Sequence, residues 1–179
     1  MKLSSLMNKK LRNEELGRAT LTEFKQTKKL PIIVILDNIR SLSNIGSAFR
    51  TCDAFLVEKI CLCGITAKPP HREIQKTALG ATESVDWEHY PTTIDCVLNL
   101  KKQGYEIASV EQTSNTIMLN KVGKPKKPLA LVFGNEVNGV SQDVVDLSNI
   151  VIEIPQFGTK HSLNISVSVG IVLWEIVKS

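Results

Sequence analysis

The sequence predicts an α/β protein on a mainly parallel sheet with flanking helices, and three observations carry that prediction. Continuous β-branched runs, above all Ile32-Ile33-Val34-Ile35-Leu36, read as strands buried on both faces. Such runs alternate with helical stretches through short joints, which is the pattern of an α/β fold. The 179 residues are 42% hydrophobic and 22% charged, an ordinary globular composition long enough to bury its own core.

Taken in order, residues 1–30 show weak helical periodicity (Leu11, Leu16, Leu21, Phe24) and read as a basic arm or short helices, ahead of a domain over 31–179. A strand at 32–36 follows Pro31, then a polar turn at 38–43 and a helix over 44–55. The run 59–63 is a second strand ended by Gly64, and Pro69-Pro70 precede a helix over 71–79. A short strand near 85–87, a helix over 92–103 and a strand over 105–110 come next. Residues 111–127 form a polar loop with four lysines, long for a connector and therefore a candidate for function. A buried strand at 128–133, a short helix at 143–147, a strand at 150–154 and a loop at 155–161 lead to a closing helix over 162–177. That helix is apolar nearly all round, so it needs cover on several sides, and a homodimer interface is a natural completion.

The net charge of +4 is unevenly spread. Residues 1–30 carry an excess of five positive charges and residues 101–130 an excess of four, on a body that is otherwise acidic. Two basic stretches favour a polyanion, since clustered Lys and Arg neutralise phosphates and release counterions. The arm and the 111–127 loop are the expected grip on RNA. Aromatic residues make up only 5%, which argues against a base-stacking platform. Cys52, Cys61, Cys63 and Cys96 contain no C-x-x-C pair, and His71, His89 and His161 are scattered, so no metal site is expected. No apolar run has the length of a membrane span and Met1 to Lys10 lack a secretory signal; a soluble, cytoplasmic protein is the expectation.

Ligands of parallel sheets bind beyond the carboxyl ends of the strands, which puts the turns after Leu36, Val110, Phe133 and Ile154 in one neighbourhood. Neither a G-x-G-x-x-G after the first strand nor a P-loop motif occurs, so the ordinary dinucleotide and nucleoside triphosphate signatures are absent.

Three constellations stand at those strand ends. The first is Asn38-Ile-Arg40 with Asn44-Ile-Gly46-Ser-Ala-Phe-Arg50-Thr-Cys-Asp53, the second Phe133-Gly134-Asn135-Glu136-Val-Asn-Gly139, the third Ile154-Pro155-Gln-Phe-Gly158-Thr-Lys160-His-Ser162-Leu163-Asn164. Together, and in this order, they resemble the three motifs of the SpoU (TrmH-like) branch of the SPOUT methyltransferases. The resemblance runs from about Pro31 to Val177. It implies a C-terminal deep trefoil knot, a homodimer, and transfer of a methyl group from S-adenosylmethionine to a ribose 2'-hydroxyl of tRNA or rRNA. Three loops are then expected to hold the donor, mapping to Val110 onward, to Gly134–Gly139, and to a stretch containing Ile154 and Leu163.

The same resemblance nominates the reacting groups. Arg50 matches the arginine placed at the acceptor hydroxyl; because a guanidinium stays charged at neutral pH, a bidentate phosphate clamp is the better chemistry for it than general-base work. An ion pair with Asp53 three residues on is its structural alternative. Asn44 matches the motif asparagine and is also a candidate helix N-cap. Glu136 matches the acidic residue of the second motif, expected to orient Arg50 or the loops. Ser162 and Asn164 match the third motif, and capping of the last helix is compatible with both. Arg40, Lys160 and Lys124 are expected phosphate contacts. Two other readings stay open: a base-modifying SPOUT enzyme, against which Ser162-Leu163-Asn164 argues, and a non-catalytic RNA-binding dimer.

Overall fold

Strand β1 (Leu30–Asp37) lies near the middle of a seven-stranded sheet, and its last six residues are all buried. The computed structural model describes residues 8–178. After β1 come α2 (Leu42–Ala54), β2 (Val57–Cys63), α3 (Arg72–Ala78), α4 (Ala81–Ser84), β3 (Asp86–Tyr90) and α5 (Thr93–Lys102); a short helix, α1 (Leu21–Gln26), precedes it. The second half adds β4 (Glu106–Val110), β5 (Ile117–Met118), β6 (Leu129–Phe133), α6 (Gln142–Leu147), β7 (Ile150–Glu153) and α7 (Ile165–Lys178). The strand order is β3-β2-β1-β6-β4-β7-β5, and each neighbouring pair is parallel. The α/β expectation holds.

The period of two in a strand divides the core into two layers. Ile32, Val34 and Leu36 of β1, with Leu129, Leu131 and Phe133 of β6, face one side and meet Ile45 and Phe49 of α2 and Val169, Val172 and Leu173 of α7. Ile33 and Ile35, with Ala130 and Val132, face the other and meet Val97 and Leu100 of α5 and Val144 of α6. Cys61, Cys63 and Cys96 pack together in this second layer; hydrogen bonds from the neighbouring thiols and burial push the Cys96 thiol up, so the cluster behaves as a set of small hydrophobes.

Several expectations need correction. Helix α7 starts at Ile165 rather than 162, and residues 162–164 have no regular secondary structure. The 111–127 loop is not plain connector: Ile117 and Met118 pair with Ile152 and Glu153 as an edge strand, and Leu119 is buried in a 3-10 turn. The short helix α4 was not anticipated in the sequence, being only four residues long. Within the arm, α1 is docked rather than free: Phe24 is buried in the first core layer and the Lys29 ammonium stands 3.3 Å over its ring. The first seven residues of the arm lie outside the described residues. Among the described residues no helix is long and apolar enough to cross a membrane.

Candidate active site

The N-terminus of α2 is where the first and second motifs meet. Ser41, not Asn44, is the N-cap, its Oγ accepting the Asn44 N–H at 3.3 Å. This corrects the expectation for Asn44, whose place in the first helical turn leaves its amide free to reach outward. Asn44 Nδ2 donates to Glu136 Oε1 at 3.3 Å, and the same carboxylate accepts the backbone N–H groups of Arg40 and Ser41, both at 3.2 Å. A carboxylate at a helix N-terminus satisfies orphan donors and complements the positive end of the dipole. Burial alone raises the Glu136 pKa, but hydrogen bonds from its own N–H, from Arg40, Ser41 and Asn44 outweigh it and hold the group below the ordinary carboxylate value. Glu136 therefore ties the second loop to α2; none of these contacts reaches Arg50.

Asn135 fastens the same loop from the other side. Its Nδ2 donates to the Asn38 carbonyl at 2.7 Å and its Oδ1 accepts the N–H groups of Val137 and Asn138. The backbone of Asn135 also exchanges two hydrogen bonds with Gly139. Gly139 has a φ of +67°, and a Cβ on Gly134 would overlap the backbone of Gly139 and Val140. Both glycines are thus required by the turn itself.

The third motif joins through Asn164. Its Oδ1 accepts the Ser166 N–H at 2.9 Å and hydroxyl at 2.7 Å, so Asn164 rather than Ser162 caps α7. Its Nδ2 donates to Asn44 Oδ1 at 3.2 Å. Asn44 is therefore the meeting point of all three motifs.

Beside this junction lies a cavity of about 720 Å³, within the range of small-molecule sites. Its walls are the three loops beyond β4, β6 and β7. Val110, Gly134, Gly139, Ile154 and Leu163, the five residues expected to hold a donor, all line it, together with Glu136, Ser162 and Asn164. Glu111 and Gln112 are among the lining residues that the sequence reading does not single out. Glu111 accepts the Val140 N–H at 2.9 Å, and Gln112 donates to the His161 carbonyl at 2.8 Å. Their only signal was position: a polar pair directly after a buried strand, at its carboxyl end.

The expected RNA contacts fall elsewhere. Lys160 borders a second hollow of about 640 Å³ beside Phe157, whose ring is 97% exposed. Arg40 and Lys124 are exposed, and Lys124 lines neither hollow. Arg50 is exposed on α2 and also lines neither. The alternative, an ion pair with Asp53, does not form; Asp53 instead receives the hydroxyl of Ser84.

Residues 31–174 match the sequence profile of the SpoU rRNA Methylase family. The chain belongs to that family. Among SpoU-family relatives, a tRNA (guanosine(18)-2'-O)-methyltransferase of Aquifex aeolicus is 31% identical over 156 residues, covering 87% of this chain and 72% of that one. The crystal structure of the A. aeolicus TrmH/SpoU tRNA modifying enzyme superposes with a TM-score of 0.79 at 28% identity, covering 88% of this chain and 81% of the other. An AdoMet-bound rRNA methyltransferase from Sinorhizobium meliloti has the same fold, with a TM-score of 0.79 at 24% identity over 87% of this chain and 59% of its own.

Proposed function

We propose that this SpoU-family chain transfers the methyl group of S-adenosylmethionine to a ribose 2'-hydroxyl of tRNA or rRNA. The observation that carries the reading is the convergence of three family motifs at the junction of Asn44, Asn164 and Glu136, the last two of which line one cofactor-sized cavity. The cavity fits the donor in character as well as size. Val110, Phe133 and Leu163 offer apolar surface for a purine, while the loop backbone and the polar side chains offer hydrogen bonds. Bound there, S-adenosylmethionine would supply an already activated methyl group. The protein's own task is the acceptor, a poor nucleophile until it is oriented and its proton has somewhere to go. Asn44, Ser162 and Asn164 supply neutral polar groups for that hydroxyl, Glu136 keeps Asn44 in place, and Arg50 clamps the adjacent phosphate.

Arg50 is not at its own chain's cavity, and a homodimer resolves this. Helix α7 buries Val169, Val172, Leu173 and Ile176 but leaves Val167, Ile171 and Trp174 exposed. Helix α2 packs alongside, with Thr51 against Gly170, so a second copy seated on the uncovered apolar face also meets Arg50. The clamp then acts on RNA at the partner's cavity. A trefoil knot belongs to the same reading, and the strand order supports it: β5, in the segment between β4 and β6, lies on the far side of β7, which pairs with both β4 and β5. Lys160, Arg40, Lys124 and the basic arm extend the RNA surface, in the cytoplasm where such RNAs are modified.

The test is transfer of labelled methyl groups to bulk tRNA and rRNA, followed by alkaline or nuclease digestion. Label in hydrolysis-resistant dinucleotides establishes ribose methylation. Label in a modified base would replace it with base chemistry, and no transfer to any RNA would overturn the enzymatic reading.

A further inference from the structure

We infer that Glu111 and Gln112 form a two-way clasp that sets the width of the donor cavity, with Gln112 on its opening side. This deepens the proposed donor site and rests on that reading.

The backbone of Glu111 is pinned first: its N–H donates to the Ile152 carbonyl of β7 at 3.0 Å. From that anchor the two side chains diverge. Glu111 Oε2 accepts the Val140 N–H at 2.9 Å while Oε1 accepts the Gln112 N–H at 2.8 Å. The carboxylate lies so close over Gly139 that any Cβ there would overlap Oε2. Gln112 turns the other way, and its Nε2 donates to the His161 carbonyl at 2.8 Å. One dipeptide at the end of β4 therefore holds the second loop with one residue and the third loop with the next.

The two halves differ in strength. Glu111 is half-buried, charged and doubly bonded, whereas Gln112 and His161 are exposed and share one neutral bond. Charge-assisted bonds are roughly twice as strong as neutral ones, and solvent competes for the exposed pair. The Glu111 side is the fixed wall and the Gln112–His161 contact the one that opens for donor entry and product release. Both are positioning residues: they hold loop backbone, and the preorganised loops bind the ligand.

Calorimetry with S-adenosylhomocysteine on the full chain tests this, the product without a sulfonium being used so that the ammonium of the lysine variant below does not repel the ligand's charge. Gln112→Ala should weaken binding about tenfold with an unchanged melting temperature in the absence of ligand, and Gln112→Lys, which retains a donor, should recover most of it. In turnover the donor KM of Gln112→Ala should rise by more than kcat falls. Glu111→Ala should weaken binding further and lower the melting temperature as well. Wild-type affinity in Gln112→Ala, or equal losses in Gln112→Ala and Gln112→Lys, would overturn the clasp while leaving the donor site intact. A wild-type protein that binds neither product nor donor would remove the donor site and the clasp with it.

Discussion

The side-chain amide of Asn164 donates to the side-chain carbonyl of Asn44 at 3.2 Å, across 120 positions of sequence. Asn44 passes the connection on to Glu136, so the start of α2, the loop after β6 and the start of α7 share one hydrogen-bonded junction. Because Asn164 also caps α7, its two functions can be separated by substitution.

Asn164→Ala removes both the cap and the junction, and should cost about 1 kcal/mol in urea denaturation along with activity. Asn164→Asp keeps an acceptor for the Ser166 N–H but has no amide to offer Asn44. Its stability should stay near wild type while methyl transfer falls sharply; equal activity in the two proteins would show that the Asn44 contact is dispensable.

Glu136 gives the junction a pH dependence. Its folded pKa lies below the ordinary value of 4.5, so the stability it adds is complete above that value and is lost as pH falls through the lower, folded one. Wild type should therefore be more stable than Glu136→Gln at about pH 7, with the difference shrinking toward about pH 3. Chemical denaturation at the two pH values measures it, and a gap that does not narrow with acid would contradict the assignment.

For Arg50 the expected outcome is kinetic. Removing a charged clamp from the reacting region in Arg50→Ala should lower kcat by about a hundredfold or more while donor affinity is kept. Mixing Arg50→Ala with a donor-defective Gly134→Ala protein should restore part of the activity if the arginine serves the partner's cavity. No recovery in mixed dimers would place its action within its own chain.

The apolar face of α7 can be tested by a single charge. Trp174 is 59% exposed and touches Phe55 edge-on at 6.4 Å between ring centres. Trp174→Glu should leave the fold intact, because the buried side of the helix is untouched, and should convert a dimer to a monomer in sedimentation. A wild-type chain that sediments as a monomer would remove the interface, and with it the trans placement of Arg50.

The basic arm calls for a gentler experiment than truncation. Phe24 and Leu30 belong to the core region, so deleting residues 1–30 would unsettle the domain as well as remove charge. Reversing the exposed Lys25 and Lys28 should instead weaken RNA binding and flatten its salt dependence, with donor binding unchanged.

Local pattern made much of this legible. The run Ile32 to Leu36 announced a strand buried on both faces, and it is one. The three motifs at strand ends marked the cavity, and each of the five residues expected to hold a donor lines it. What failed was whatever depends on a neighbour distant in sequence. Ile117 and Met118 became a strand because β7 offers them an edge, and nothing in their own two residues says so. Ser41 took the cap that Asn44 also suited, since a Glu136 carboxylate 92 positions later engages the asparagine. Glu111 and Gln112 had only their position after a buried strand to mark them; their partners are the backbones of Val140 and His161.

By itself, then, the sequence determined the fold class, the order of nearly every element, the family motifs and the apolar excess of α7. Each follows from side-chain periodicity or residue chemistry within a short window. Tertiary structure alone decided which face of α7 stays uncovered, which amide meets which carboxylate, and that Arg50 is not among the residues lining the cavity of its own chain. Those outcomes come from loop ends brought together by strand order, and hydrogen bonds are formed by proximity in space rather than along the chain.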